Sequence, residues 1–192
     1  FPFELTQEIA EERGETVSWD DFEKAKKLHS EQSRAGSEAK FKGGLADQSE
    51  MTVAYHTATH LLHAALRKIL GEEVQQKGSN ITAKRLRFDF SFGRALTDEE
   101  KDQVIRQINQ WIQADLPVTR QTMGKDEALA QGALAFFKEK YPAEVSVYTI
   151  GQDPETDWVS KELCGGPHVN QTGEIGRLVL TKEQSASSGV RR

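Results

Sequence analysis

Cysteine is almost absent from this chain: Cys164 is the only one in 192 residues. No disulfide can form within it, which fits a reducing, cytoplasmic compartment. Long apolar runs are missing too. Nothing approaches the roughly 18 consecutive apolar residues of a membrane-spanning helix. There is no excess of positive charge; the formal net charge is −5. That argues against a bulk electrostatic grip on nucleic acid and leaves such work to a local basic patch. No signal peptide is visible, and the chain opens at Phe1 rather than methionine. It reads as an excerpt from something longer. What is present, 36% hydrophobic and 29% charged residues, suffices for a buried core under a well-solvated surface.

The most informative stretch is His56-Thr57-Ala58-Thr59-His60. Residues four apart on a helix share a face, so the two imidazoles can converge on one point. About a hundred residues later comes Cys164-Gly165-Gly166-Pro167-His168. Two histidines from a helix plus a cysteine and a histidine from a tight turn make a donor set for zinc. That ion takes imidazole nitrogen at ~2.0–2.1 Å and thiolate at ~2.3 Å, usually tetrahedrally. Ala58, Leu61, Leu62, Ala65, Leu66 and Ile69 form an aliphatic stripe on the same helix, and His56, His60 and His63 cluster opposite it. His63 is left over once four ligands are named and reads as a supporting or structural residue.

In chain order, Pro2 to Arg13 reads as a helix stopped by Gly14, and Ser18 as the N-cap of a second helix running to about Ser33. Residues 1–38 form a small helical segment and residues 39–50 a linker around Lys42-Gly43-Gly44. Residues 51–192 read as one α+β domain, an antiparallel sheet with helices packed on one face. Its first helix spans about Met51 to Leu70. Val74 to Ala83 reads as a strand. Residues 85–92 alternate strictly, Leu86, Phe88, Phe90 and Phe92 inward and Arg85, Arg87, Asp89 and Ser91 outward. Thr97-Asp98-Glu99-Glu100 is a capping box opening a helix whose core positions include Val104, Ile108 and Ile112. Strands follow at 116–122, 144–150 and 176–181, with a short helix at 125–131, a helical turn at 133–141 and a polar loop at 151–156. Gly189 to Arg192 begins a further element.

A zinc site of this kind that keeps a position for water polarises a carbonyl and acidifies the water, which suits ester or amide hydrolysis. A closed four-ligand site is structural, and spacing alone does not separate the two. The metalloprotease pattern needs a glutamate beside its first histidine; Thr57 stands there instead. Gly165 and Gly166 clear side chains from the approach to the metal and leave N–H groups for a substrate oxygen. The polar face of Arg87 and Asp89 is either a solvated edge or a surface that meets substrate.

His56-Thr-Ala-Thr-His60-Leu-Leu-His-Ala-Ala-Leu-Arg67, Gln76-Lys-Gly-Ser79, Leu86-Arg-Phe-Asp-Phe-Ser91, Glu162-Leu-Cys-Gly-Gly166, Thr172-Gly-Glu-Ile-Gly176 and Gly189-Val-Arg-Arg192 together resemble the editing domain of alanyl-tRNA synthetases, a domain shared with threonyl-tRNA synthetases and free-standing editing proteins. Phe1 to Thr6 resembles the segment after the tRNA-recognition region. The resemblance implies hydrolysis of the ester joining serine or glycine to the 3′ end of alanine tRNA, with the rest of the synthetase as partner. It implies zinc held by His56, His60, Cys164 and His168, and Gln76 lining the pocket, these five making up the catalytic set. Thr57 and Ser79 are candidates to sense the serine hydroxyl, and Gly165, Gly166, Arg87 and Asp89 to line the substrate's approach. Two positions depart from the pattern. Pro167 replaces the usual threonine and is similar to the threonyl enzymes' Cys-Arg-Gly-Pro-His turn. Only residues 35–50 occupy the place of a small β-barrel, which raises whether Lys40, Lys42 and the glycines grip tRNA instead. Editing of serine on threonine tRNA, a tRNA-docking module with structural zinc, and a zinc hydrolase of another ester are the alternatives.

Overall fold

The computed structural model describes residues 3–38, 49–136 and 141–192. Most of the expected linker, with Lys40, Lys42, Gly43 and Gly44, lies outside these residues, as does part of the expected 133–141 turn. The chain divides into two compact units between residues 41 and 42.

In the first unit, α1 (Phe3–Glu12) and α2 (Trp19–Glu38) pack through aromatic rings. Phe3 meets Trp19 and Phe22 nearly edge-on, centroids 4.8 and 5.3 Å apart, an arrangement the ring quadrupoles favour. The Ser18 hydroxyl accepts the Asp21 N–H at 3.2 Å, as an N-cap should. The second helix extends past Ser33 to Glu38.

The second unit is organised around α3 (Glu50–Leu70). Gly71 ends it at φ 123°, a backbone angle that L side chains resist. The hairpin of β1 (Gln76–Thr82) and β2 (Arg85–Ser91) follows, with Ile81 opposite Leu86 and Ser79 opposite Phe88. The alternation of β2 is realised: Phe88 and Phe90 are buried, and Leu86 and Phe92 pack against them. In α4 (Asp98–Gln113) the Thr97 hydroxyl accepts Glu100 N–H at 3.1 Å, and the Glu100 carboxylate accepts Thr97 N–H at 2.8 Å. That is the expected capping box. Then come β3 (Val118–Gly124), α5 (Lys125–Ala130), β4 (Glu144–Asp153), β5 (Asp157–Leu163), a 3₁₀ turn (Thr172–Ile175), β6 (Ser185–Ser187) and β7 (Val190–Arg191).

The fold is α+β with antiparallel strand pairing, distributed over two sheets: β1-β2-β7-β6 and β3-β4-β5. The principal core joins Ala58, Leu61, Ala65 and Leu66 of α3 to Phe88, Phe90, Val104, Ile108 and Ile112. A smaller core of Ala128, Ala133, Val145, Val147 and Leu163 seats α5 on the second sheet. So α3 presents its aliphatic stripe to α4 and the first sheet, and its histidines to β5.

Two local expectations are corrected, and a third is made specific. Residues 176–181 form no strand, because their backbone is claimed by a side chain of α4: Asn109 donates to Leu178 O at 2.9 Å and accepts Leu178 N–H at 3.0 Å. The polar loop at 151–156 is a hairpin, β4 running on to Asp153, whose carboxylate accepts the N–H groups of Glu155 and Thr156 at 2.7 and 3.0 Å. Gly189 to Arg192 contributes β7, seated between β2 and β6. Among the described residues no helix is long and apolar enough to cross a membrane.

The two stabilising devices differ in size. Leu61→Ala, at a fully buried position, is expected to cost ~2–5 kcal/mol. Thr97→Ala, which removes the cap, is expected to cost about 1 kcal/mol. Chemical denaturation of the two variants checks that order.

Candidate metal centre

The helical period sets His56, His60 and His63 of α3 along one side, facing the end of β5. Strand alternation on β5 turns Glu162 toward them, and the chain then leaves the sheet into the Cys164–His168 turn. The Cys164 Sγ lies 3.3 Å from His56 Nε2 and 3.4 Å from His168 Nε2. The donor atoms of His56, His60, Cys164 and His168 all fall within 4.8 Å of one another. Bonds of zinc length imply tetrahedron edges of about 3.3–3.6 Å, so the sulfur contacts have the spacing that a shared cation sets.

The outward nitrogens are all committed. His56 Nδ1 donates to Pro167 O at 3.0 Å. His168 Nδ1 contacts the Thr57 hydroxyl at 3.1 Å. His60 Nδ1 donates to Glu162 Oε2. This leaves each Nε2 turned inward, and His60 Nε2 is buried without a hydrogen-bond partner. A buried nitrogen is rarely left so; a metal–nitrogen bond satisfies it. Three imidazoles and a thiolate with ordered outer partners fit zinc.

Electrostatics agree. Burial would raise the Cys164 thiol, yet hydrogen bonds from His168 and His56 and the nearness of His60 outweigh it and hold the pKa at about 3. Burial, with the charges of His60 and His56, drops His168 to about 3. Burial also opposes charge on His60, but Glu162 prevails and pushes it up to about 10. Glu162, which burial would raise, is held at about 2 by His60 and His63. To hold a metal, His60 would have to present a deprotonated Nε2.

Other expected site residues fall differently. Thr57 is fully buried. Its hydroxyl donates to Val53 O at 3.3 Å and accepts from Val169 N at 3.2 Å besides meeting His168. A hydroxyl with these three partners orients His168. Gly166 is buried: a Cβ there would lie 2.8 Å from His56 Nδ1 and overlap the ring, so this glycine permits the ligand's approach. Gly165 is exposed with open space beside it. Gln76 and Ser79 are half-buried on β1, in the other sheet. No hydrogen bond joins them to the ligands among the described residues. Asp89 takes two bonds from Arg192, at 2.8 and 3.0 Å, and Arg87 Nε stands 3.9 Å from it. That face of β2 is an ion-paired strip, neither a bare solvated edge nor part of the cluster.

Sequence reasoning assigned no role to Glu162 and left His63 over; the structure joins them. The second Glu162 oxygen meets His63 Nδ1 at 2.9 Å, and His63 Nε2 sits 3.3 Å from Val74 O. An acid two residues before the only cysteine, on the same strand face, was the available signal. Tyr148 was also missed; its ring centroid lies 4.2 Å from that of His168.

Gly166→Ala is expected to lower bound zinc severalfold while the fold persists, read by metal analysis beside circular dichroism. Metal-stripped protein should show a pH signature of the Glu162–His60 pair. The raised His60 stabilises fully below its unfolded pKa near 6.5 and loses that contribution as pH rises toward about 10. The lowered Glu162 contributes above its unfolded value near 4.5 and is lost as pH falls toward about 2. Stability from the pair should therefore peak between about 4.5 and 6.5, and Glu162→Gln should flatten that dependence in denaturant titrations.

Comparison with known proteins agrees with this geometry. Residues 145–192 match the family described as threonyl and alanyl tRNA synthetase second additional domain. The whole chain aligns with the alanine–tRNA ligase of Treponema denticola at 59% identity and with that of Borrelia hermsii at 52%, covering 31% of each relative. The alanine–tRNA ligase of Thermus thermophilus is 50% identical over 137 residues, 71% of this chain and 16% of that protein. The chain thus spans about a third of the Treponema and Borrelia relatives it matches. With residues 145–192 matching the second additional domain and all 192 residues aligned to the Treponema and Borrelia ligases, the chain belongs to the alanyl-tRNA synthetase family.

Proposed function

We propose that this domain proofreads: it hydrolyses the ester that joins serine or glycine to the 3′ end of alanine tRNA, with zinc bound by His56, His60, Cys164 and His168. The observation that carries the reading is the inward-turned, unpartnered Nε2 of His60 in a cluster whose four donor atoms lie within 4.8 Å of one another. Zinc at this place supplies Lewis acidity toward an ester carbonyl and toward water. The chain's own residues do the rest. Glu162 holds the proton of His60 on Nδ1 and so fixes which nitrogen faces inward. Thr57 and the Pro167 carbonyl do the same for His168 and His56. Gly165 leaves the approach open, and Tyr148 walls one side. Gln76 is the pocket residue that the family likeness suggests, Ser79 and Thr57 are candidates to sense the serine hydroxyl, and Arg87 is a further candidate on the neighbouring strand.

The chemistry of discrimination explains the need. A synthetic pocket built for alanine cannot exclude smaller glycine and rejects an added hydroxyl poorly, so a second hydrolytic site is required. The partners under this reading are alanine tRNA and the remainder of the synthetase chain, in the cytoplasm.

The test is deacylation of serine-charged alanine tRNA by the full-length polypeptide that carries this sequence. Cys164→Ala should abolish both zinc binding and hydrolysis. Glu162→Gln should weaken zinc affinity about 10–100-fold and make hydrolysis depend on added zinc. Zinc and tRNA binding without any deacylation would instead leave a docking module with structural metal.

A further inference from the structure

A row of side chains crosses one face of the second sheet and leads outward from the metal centre. Arg120 on β3 stands opposite Tyr148 on β4, and Tyr148 stands opposite Glu162 on β5. Directly opposed residues in an antiparallel ladder project to the same face. The inner end, Glu162, is buried under His60 and His63. The middle, Tyr148, lays its ring against His168. The outer end, Arg120, is exposed.

Arg120 is not a loose surface cation. Its Nε and Nη2 donate to the Ser146 hydroxyl at 3.1 and 2.8 Å. Ser146 in turn accepts the N–H of Cys164 through its carbonyl at 3.1 Å. The guanidinium is thus fixed to the residue that anchors the metal-binding turn. Among the described residues no carboxylate pairs with it, although the chain is acidic overall. Guanidinium has five donors, and only two are committed here, to a neutral oxygen.

A rigidly held arginine with free donors matches a phosphodiester, which it binds in a fork that lysine cannot reproduce. The substrate of the proposed reaction carries such a group beside the esterified ribose. The geometry points to Arg120 as the residue that docks a backbone phosphate of the RNA 3′ end, with Tyr148 spacing the ribose from His168. This rests on the proofreading reading above. Arg120 is then a substrate-binding residue whose contact lies outside the reacting bond.

The experiment compares the full-length wild type with Arg120→Gln and Arg120→Lys in single-turnover hydrolysis at several salt concentrations. Two substrates are used: serine-charged alanine tRNA, and a serine ester of adenosine, which has no phosphate. Arg120→Gln should raise the half-saturating concentration of charged tRNA about tenfold. The salt slope of log affinity should fall by about 0.7, the increment for one phosphate on a single strand. Zinc content and adenosine-ester hydrolysis should stay at wild-type values, and Arg120→Lys should recover part of the loss. An unchanged salt slope and half-saturation for tRNA would overturn the inference and leave the proofreading reading standing. An equal loss on both substrates would also overturn it, placing Arg120 in the folding of the turn. If wild type deacylates no charged tRNA, both readings fall together.

Discussion

A buried carboxylate must be paired, and Glu162 is paired twice. One oxygen meets His60, the other His63, and all three side chains are nearly inaccessible to water. Removing charge from water costs several kcal/mol per ion unless geometry and hydrogen bonds repay it. This carboxylate can therefore sit only where both imidazoles already are. The constraint locks β5 to α3 at one register, because a slip of one residue along the strand would turn Glu162 to the opposite face. The candidate metal ligands inherit that register: Cys164 is two residues further along, and His60 is one of the two partners. The polar centre is thus also the joint that ties the second sheet to the helix at the middle of the first.

Gly166 and Thr57, read from the sequence as candidates for substrate contact, also touch the histidines of the cluster. Gly166 lies where any side chain would collide with His56. Thr57 occupies the position that in a metalloprotease holds the glutamate general base. Here its hydroxyl bridges two backbone segments and aims His168. Both residues act on how the ligands are held. Beside the cluster Gly165 is exposed and Tyr148 is half-buried.

How much of this was legible beforehand depended on range. The capping box of Thr97 and Glu100, the alternation of β2 and the four-residue spacing of His56 and His60 are local patterns, and each appears as read. The convergence of Cys164 with His56, 108 residues away, was readable because metal-ligating residue types are scarce and their chemistry is shared. Pairings that depend on tertiary placement were not readable. Nothing local reveals that Asn109 captures the backbone of Leu178 and denies it a strand. Nor does alternation alone say that strands divide between two sheets, or that Asp89 is neutralised by Arg192 from the far end of the sequence. Arg120 and Tyr148 looked like ordinary strand residues; only the cross-strand register puts them in line with Glu162.

The seat of β7 has a consequence for the order of assembly. It bonds to β2 on one side and β6 on the other, so residues near 190 complete a layer begun near residue 76. The β1–β2 hairpin can form as soon as it is made, since its ends lie close in sequence. Its outer edge then stays unsatisfied while about a hundred further residues emerge, and unpaired edges invite pairing with other chains. During synthesis at ~5–20 residues per second, that edge is bare for several seconds. Nascent chains paused in this interval should be the ones that most need a chaperone's shelter.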